Sequence, residues 1–385
     1  EVVFLRVTLL TLNRTSSNKS LPMLTAVRSL TSAHRITVSG SHTKSRSSEN
    51  VKRDSYASCI NMRIRRQKRC YIALLLTALF VGLIYVSGYT PILYGMDPSV
   101  QRPKIRFEDV VDRVDPRKPR IMVTWYGRMG NHMFQYSTLI GVAKRNNMTP
   151  IIPPNIDLLD VFDLPTPQGS NTLLRNPITY PDKRPGEYDN KTEHLVPHRD
   201  AFIKGYHQSW KYYLNVRDEL LDKHFVFHKP IQRKASDYIQ GVRDSLNKQD
   251  SVLISIHVRR GDFVRQRIKG FTAAPIPYYY KAMNYFRRKY KNVLFIICTN
   301  DIFWAMDNLD QGPDIHYSTN TDGAVDLAIL ANSDHVVITS GSFSWWAGYL
   351  IRGEVIYYHG FPEPNTIIGN TTVREDYYPP NWIPM

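Results

Sequence analysis

Short apolar runs at 251–258, 293–298, 335–339 and 355–358 leave few architectures open to this chain. A run that is apolar from end to end cannot face water on either side, so it belongs in a sheet covered on both faces. Segments of helical period at 277–290, 301–309, 322–331 and 342–351 fall between these runs and supply the covering layers. Strand, helix and strand in succession favour parallel pairing. The first half repeats the pattern less regularly, with strands expected at 120–126, 149–152 and 201–205 and helices at 133–146 and 231–246. The expected fold is therefore doubly wound α/β, whose ligands bind beyond the carboxyl ends of the strands. At 385 residues and 42% apolar, the chain can bury such a core in one large or two medium domains.

A different kind of segment lies upstream. Residues 71–86 hold no charge and no proline, and with the flank to 94 they would reach roughly 36 Å as a helix, enough to span a bilayer. Arg63, Arg65, Arg66, Lys68 and Arg69 precede it, and each cation gains about 1 kcal/mol near an anionic cytoplasmic leaflet. The expectation is a single-pass type II signal-anchor with the body in the lumen. A cleaved signal peptide and a buried core helix are the alternatives. The first has only a weak small-residue cleavage site, and the second fits poorly with cations at the helix mouth. Met62 is expected to open a short cytosolic tail, which makes 1–61 upstream sequence or a disordered tail; residues 95–119 read as a stem. Sequons at Asn147, Asn190 and Asn370 are compatible with a secretory body.

The net charge of +16 suggests a nucleic-acid binder until it is located along the chain. Residues 1–70 hold 14 of the 50 Lys and Arg and 3 of the 34 Asp and Glu, so +11 lies there and +5 on the remainder. No nucleic-acid partner is expected. Of three cysteines, Cys59 and Cys70 precede the apolar segment and Cys298 stands alone in the body, so no disulfide can form there. Its apolar surroundings mark Cys298 as a packed thiol rather than a nucleophile.

Three segments carry candidate chemistry. His257-Val-Arg259-Arg260-Gly-Asp262 lies where the strand 251–258 ends. A guanidinium offers a rigid fork of donors for phosphate, and there it would stabilise charge on a departing diphosphate. A structural Arg–Asp pair closing a loop is the other reading. Second, the strand 335–339 runs through Ser340 and Gly341 into a helix that opens at Ser342 and Phe343, whose amides and hydroxyls can seat an anion. An ordinary capped helix with its tryptophans in the core explains the same pattern. Third, Gly127-Arg-Met-Gly130-Asn131 is a glycine turn between strand and helix, half of a nucleotide fingerprint. No cluster has metal-ligand spacing, and Asp310 and Asp314 are too isolated to form one. Metal-independent chemistry is expected, with no cofactor and arginine in place of a divalent cation.

Residues 127–136, 204–212, 257–262 and 340–350 resemble, in the same order, the α-1,2-fucosyltransferases that make blood-group-H-type structures on galactose. The resemblance covers about 120–385; the 257–262 element is shared more widely with α-1,6- and protein O-fucosyltransferases. It implies a GT-B-like fold of two Rossmann-like halves, an acceptor-side half at 120–250 and a donor half at 251–385. It further implies inverting transfer of L-fucose from GDP-fucose to the 2-OH of a galactose-terminated glycan at the Golgi membrane. By similarity Arg260 would hold the β-phosphate, His257 would line the nucleotide site, and Arg259 and Asp262 would shape the loop. Asp326 would read the guanine edge, where a carboxylate suits two N–H donors, although a surface helix acid explains it equally. Ser342 and Phe343 would close over diphosphate and base, with Gly130 and Asn131 adjoining the donor. Asp262 and His132 are candidate bases. His132, His207 and Trp210 depart from the family pattern and put the acceptor in question if they face it. A fucosyltransferase of other linkage, one acting on protein, and an inactive membrane-tethered binding module remain as alternatives.

Overall fold

The computed structural model describes Asp115 and residues 117–385. The tail 1–70, the apolar span 71–94 and nearly all of the stem 95–119 lie outside the described residues. No helix among the described residues is long and apolar enough to cross a membrane.

Two parallel sheets organise the described residues. The first has four strands in the order β2-β1-β4-β3, formed by β1 (Arg120–Val123), β2 (Thr149–Pro150), β3 (Ile178–Pro181) and β4 (Ala201–Lys204). The second has six strands, β5 (Val252–Val258), β6 (Val293–Thr299), β7 (Ile315–Tyr317), β8 (His335–Ile338), β9 (Val355–Tyr357) and β10 (Ile383–Pro384), in the order β10-β9-β8-β5-β6-β7. Every pairing is parallel. From β5 the chain winds one way through β6 and β7, then returns to β8 on the other side. The crevice between β5 and β8 is the switch point at which such sheets bind ligands.

The second sheet is doubly wound as expected; the first is not. Its one long helix is α1 (Met129–Arg145), and its other connections are loops and short 3₁₀ turns. β3 and β7, absent from the sequence reading, are short strands with no uninterrupted apolar run. α1 is buried on nearly all sides, which explains its weak amphipathic signal. By contrast α2 (Lys229–Leu246) buries the stripe Ala235, Ile239 and Val242, and Asn247 closes it in the left-handed conformation. α3 (Ile276–Lys289), α4 (Ile302–Asn308), α5 (Gly323–Ala331) and α6 (Ser342–Leu350) complete the layers.

Alternation along the strands sorts side chains to two cores. Ile254, Ile256 and Val258 of β5 pack with α3 on one face. Leu253 of β5, with Leu294, Ile296 and Cys298 of β6, joins α1, α5 and α6 on the other. Phe134 of α1 meets Trp345 and Trp346 of α6 at 4.4 and 5.3 Å between ring centroids, and both tryptophans are buried. That contact places the start of α1 beside the start of α6. Cys298 is a buried free thiol, pushed well above its usual range by desolvation and the Asp326 carboxylate.

Candidate functional site

The two strongest sequence candidates meet at the switch point. β5 ends in Arg259, whose amide donates to Thr339 Oγ1 at 3.1 Å, and that hydroxyl donates to the His257 carbonyl at 3.0 Å. The turn after β8 is thereby stitched to the end of β5, and α6 opens beside it at Ser342. A nine-residue helix with free first-turn amides is an anion seat when a cation stands opposite.

The two adjacent arginines point to opposite faces. Arg259 shares the face of His257 and α6. Its guanidinium donates to Asp262 Oδ1 at 2.6 Å and stands 4.9 Å from the centre of the Phe263 ring. Burial holds its pKa below the usual arginine value, so the cation is partly stripped of water. Arg260 turns to the other face, where it lies 3.6 Å over the Trp304 ring with Nε 3.4 Å from Asp301 Oδ2. Its amide donates to Asn300 Oδ1 at 2.9 Å. Gly261 makes the turn after the two arginines with φ +61°, a conformation that side chains resist. Asn300, Asp301 and Trp304 escaped the sequence reading because they follow a different strand, β6; only the fold brings them to Arg260.

His257 is buried, and its Nδ1 has no hydrogen-bond partner among the described residues. Desolvation, with Arg259 nearby, pushes its pKa down to about 3, so the ring is neutral. Phe343 packs against it at 4.9 Å. Asp326 lies in the first turn of α5 on the same face, where its Oδ1 accepts from Ser318 at 3.2 Å and Asn320 at 3.1 Å. Burial raises its pKa to about 6 despite those donors. Arg259, His257, Phe343 and Asp326 thus line one side of the sheet edge, and Arg260 stands on the other with Trp304 and Asp301.

Gly130 and Asn131 have seating roles. A β-carbon on Gly130 would fall 2.6 Å from the Phe343 amide nitrogen, so only glycine lets α1 approach the opening of α6 this closely. The Asn131 side chain accepts from Gln208 at 2.9 Å, which joins α1 to the loop after β4. Asp262 is occupied as a brace: beyond Arg259, it faces Arg128 at 3.8 Å.

Among the residues that depart from the family pattern, His132 Nδ1 lies 2.6 Å from Asp157 Oδ1. His207 is fully buried against Tyr212, and burial lowers its pKa to about 4. Trp210 donates to the Glu375 carbonyl at 3.2 Å and lines a surface cavity of about 290 Å³ with Leu214, Tyr349 and Trp382. His207 therefore cannot face an acceptor, and Trp210 is held against the C-terminal segment. Asp310 and Asp314 are not isolated either: both bind Arg287, at 3.2 and 2.8 Å. No group of three or more His, Cys, Asp or Glu able to hold a metal occurs among the described residues.

Residues 96–385 match the family described as Glycosyl transferase family 11. The chain is 29% identical over 277 residues to the galactoside 2-alpha-L-fucosyltransferase Sec1 of Mus musculus, covering 70% of this chain and 74% of that one. It is 28% identical over 280 residues to galactoside alpha-(1,2)-fucosyltransferase 2 of Sus scrofa, covering 70% and 82%. Among solved structures, fucosyltransferase NodZ from Bradyrhizobium aligns at 13% identity and a TM-score of 0.42, over 63% of this chain and 97% of that one.

Proposed function

Because the chain belongs to glycosyl transferase family 11, we propose that it transfers L-fucose from GDP-fucose to the 2-OH of galactose at the end of a glycan. The observation that carries this reading is the meeting of Arg259 and the opening of α6 at the β5–β8 crevice, joined through Thr339. In the proposed mechanism the diphosphate lies between the first-turn amides of α6 and the guanidinium of Arg259. Negative charge grows on the β-phosphate as the fucosyl bond breaks, so a fixed, partly desolvated cation there favours the transition state over the ground state. The sequence resemblance gave the β-phosphate to Arg260. The face shared by Arg259, His257, Phe343 and Asp326 favours Arg259 as the inner contact, with Arg260 held over Trp304 as the outer one.

His257 Nδ1 faces the same edge as an unused polar atom, suited to a hydrogen bond from or to the nucleotide. The Asp326 carboxylate, which accepts from Ser318 and Asn320 through Oδ1, is the acceptor offered to the two N–H donors on the guanine edge. Attack from the opposite face of the sugar inverts the β-linked donor to an α-linked product. Arginine and helix amides supply the charge stabilisation, and the reaction proceeds without a divalent ion. Activity that disappears with EDTA and returns with Mg²⁺ or Mn²⁺ contradicts that last point.

We also propose that the body is lumenal in the Golgi, tethered through residues 71–94. Asn147, Asn190 and Asn370 are all exposed, as glycosylation would require. Protease protection in intact microsomes, together with sensitivity to an endoglycosidase, tests this topology. Digestion of the body without detergent rules it out.

A further inference from the structure

The first sheet ends, as the second does, in an arrangement that folding alone does not call for. Tyr126 follows β1 and Tyr206 follows β4, the paired central strands, and their rings stand 5.6 Å apart at 46°. Tyr126 is 39% exposed. Beneath them the backbone is tightly framed. The Tyr126 amide donates to Gln135 Oε1 at 3.1 Å, and Gln135, fully buried, donates in turn to the Gly205 carbonyl at 3.3 Å. Thr124 Oγ1 accepts from the Gly205 amide at 2.9 Å, and Asp182 accepts from the Tyr206 amide at 2.8 Å. A rigid frame that fixes two rings while leaving one in water is how a binding platform is built. Two residues beyond Tyr126, Arg128 reaches to 3.8 Å from Asp262, so the platform adjoins the loop that carries Arg259.

We propose that Tyr126 and Tyr206 form the platform on which the acceptor galactose lies, oriented toward the donor across the Arg128–Asp262 contact. This rests on the fucosyltransferase reading above. The chemistry is that of an aromatic surface meeting a pyranose: the ring covers the sugar's C–H face and leaves its hydroxyl edge open. The carbohydrate class follows from the pairing. A flat hydrocarbon ligand would need a deeper apolar slot, and an anion would need cations where these rings stand.

The test uses the full chain with GDP-fucose and lactose as the acceptor probe. Tyr126→Ala and Tyr206→Ala are expected to raise the KM for lactose about tenfold each, with the KM for GDP-fucose unchanged. Tyr126→Phe and Tyr206→Phe keep the ring and should keep the wild-type lactose KM. Alanine variants with wild-type lactose KM, or with donor KM raised as much as acceptor KM, overturn the platform while wild-type transfer leaves the fucosyltransferase reading standing. Wild-type protein that fucosylates no galactoside removes the reading itself, and the platform with it.

Discussion

Arg259 donates to Asp262 across 2.6 Å within the loop that follows β5 of the six-stranded sheet. The same carboxylate faces Arg128, at the opening of α1, across 3.8 Å. The brace that holds Arg259 is therefore also a link between the loops of the two sheets.

Replacing either arginine by lysine keeps the charge and removes the fork. Arg259→Lys is expected to lower kcat by about 10²–10³, the cost of losing one transition-state donor. Arg260→Lys also loses its flat contact with Trp304 and should fall in turnover, by less. Steady-state kinetics with both substrates saturating decides the order; wild-type turnover in both variants removes the pair from the mechanism.

Asp326 should trade stability for recognition. Its folded pKa, about 6, stands above the ordinary carboxylate value, so the folded chain holds the proton more tightly than the unfolded one. Stability from this group is present at low pH and is lost as pH rises from about 4 through 6, with a cost of roughly 3 kcal/mol at neutral pH. Asp326→Asn is expected to melt higher than wild type at pH 7.5 and equally at pH 4, while binding GDP at least tenfold more weakly. Unchanged GDP affinity in a calorimetric titration would take Asp326 out of the donor site.

His257 has the opposite sign. A buried histidine held near pKa 3 is neutral when folded and takes a proton only on unfolding, so stability falls as pH drops below about 6.5. His257→Gln cannot titrate and should lose less stability than wild type between pH 7 and pH 5. Loss of one hydrogen bond to the donor should weaken GDP-fucose about tenfold. Thermal melts across that pH range check the first statement and fluorescence titration the second.

Gly130→Ala sets helix propensity against close packing. Alanine favours a helix interior by about 1 kcal/mol over glycine, but its β-carbon would lie 2.6 Å from the Phe343 amide nitrogen. Backbone at that distance cannot yield without moving α6, so the clash should win by about 1–3 kcal/mol. A lower melting temperature together with a raised GDP-fucose KM is expected; a stabilised, fully active variant contradicts the seating role.

Four strands of the second sheet were legible because they are buried on both faces in nearly unbroken apolar runs, as in Leu294–Cys298, whereas β7, with His316 at its centre, and the two-residue β10 were not. The first sheet was less so: β3 alternates between half-buried and exposed residues, and α1, buried all round, loses the amphipathic period that marks a surface helix. At the site, Arg259, Arg260 and His257 stood out because two adjacent cations at a strand end need a reason. Their division between two faces follows from the pleat of β5 and could have been read from its alternation. Asn300, Asp301, Trp304 and Arg128 carry no local signal, since each acquires its role by contact with a residue at least 40 positions away. Tyr206 lay inside a segment already noted, but its pairing with Tyr126 depends on β1 and β4 being neighbours.

The most direct measurement is product analysis after incubating the full chain with GDP-fucose and a panel of galactose-terminated glycans. Fucose α-linked to the 2-position of galactose is expected, formed at the same rate with and without EDTA. Fucose on another position or on protein contradicts the linkage, and a folded chain that neither binds nor turns over GDP-fucose contradicts the enzyme.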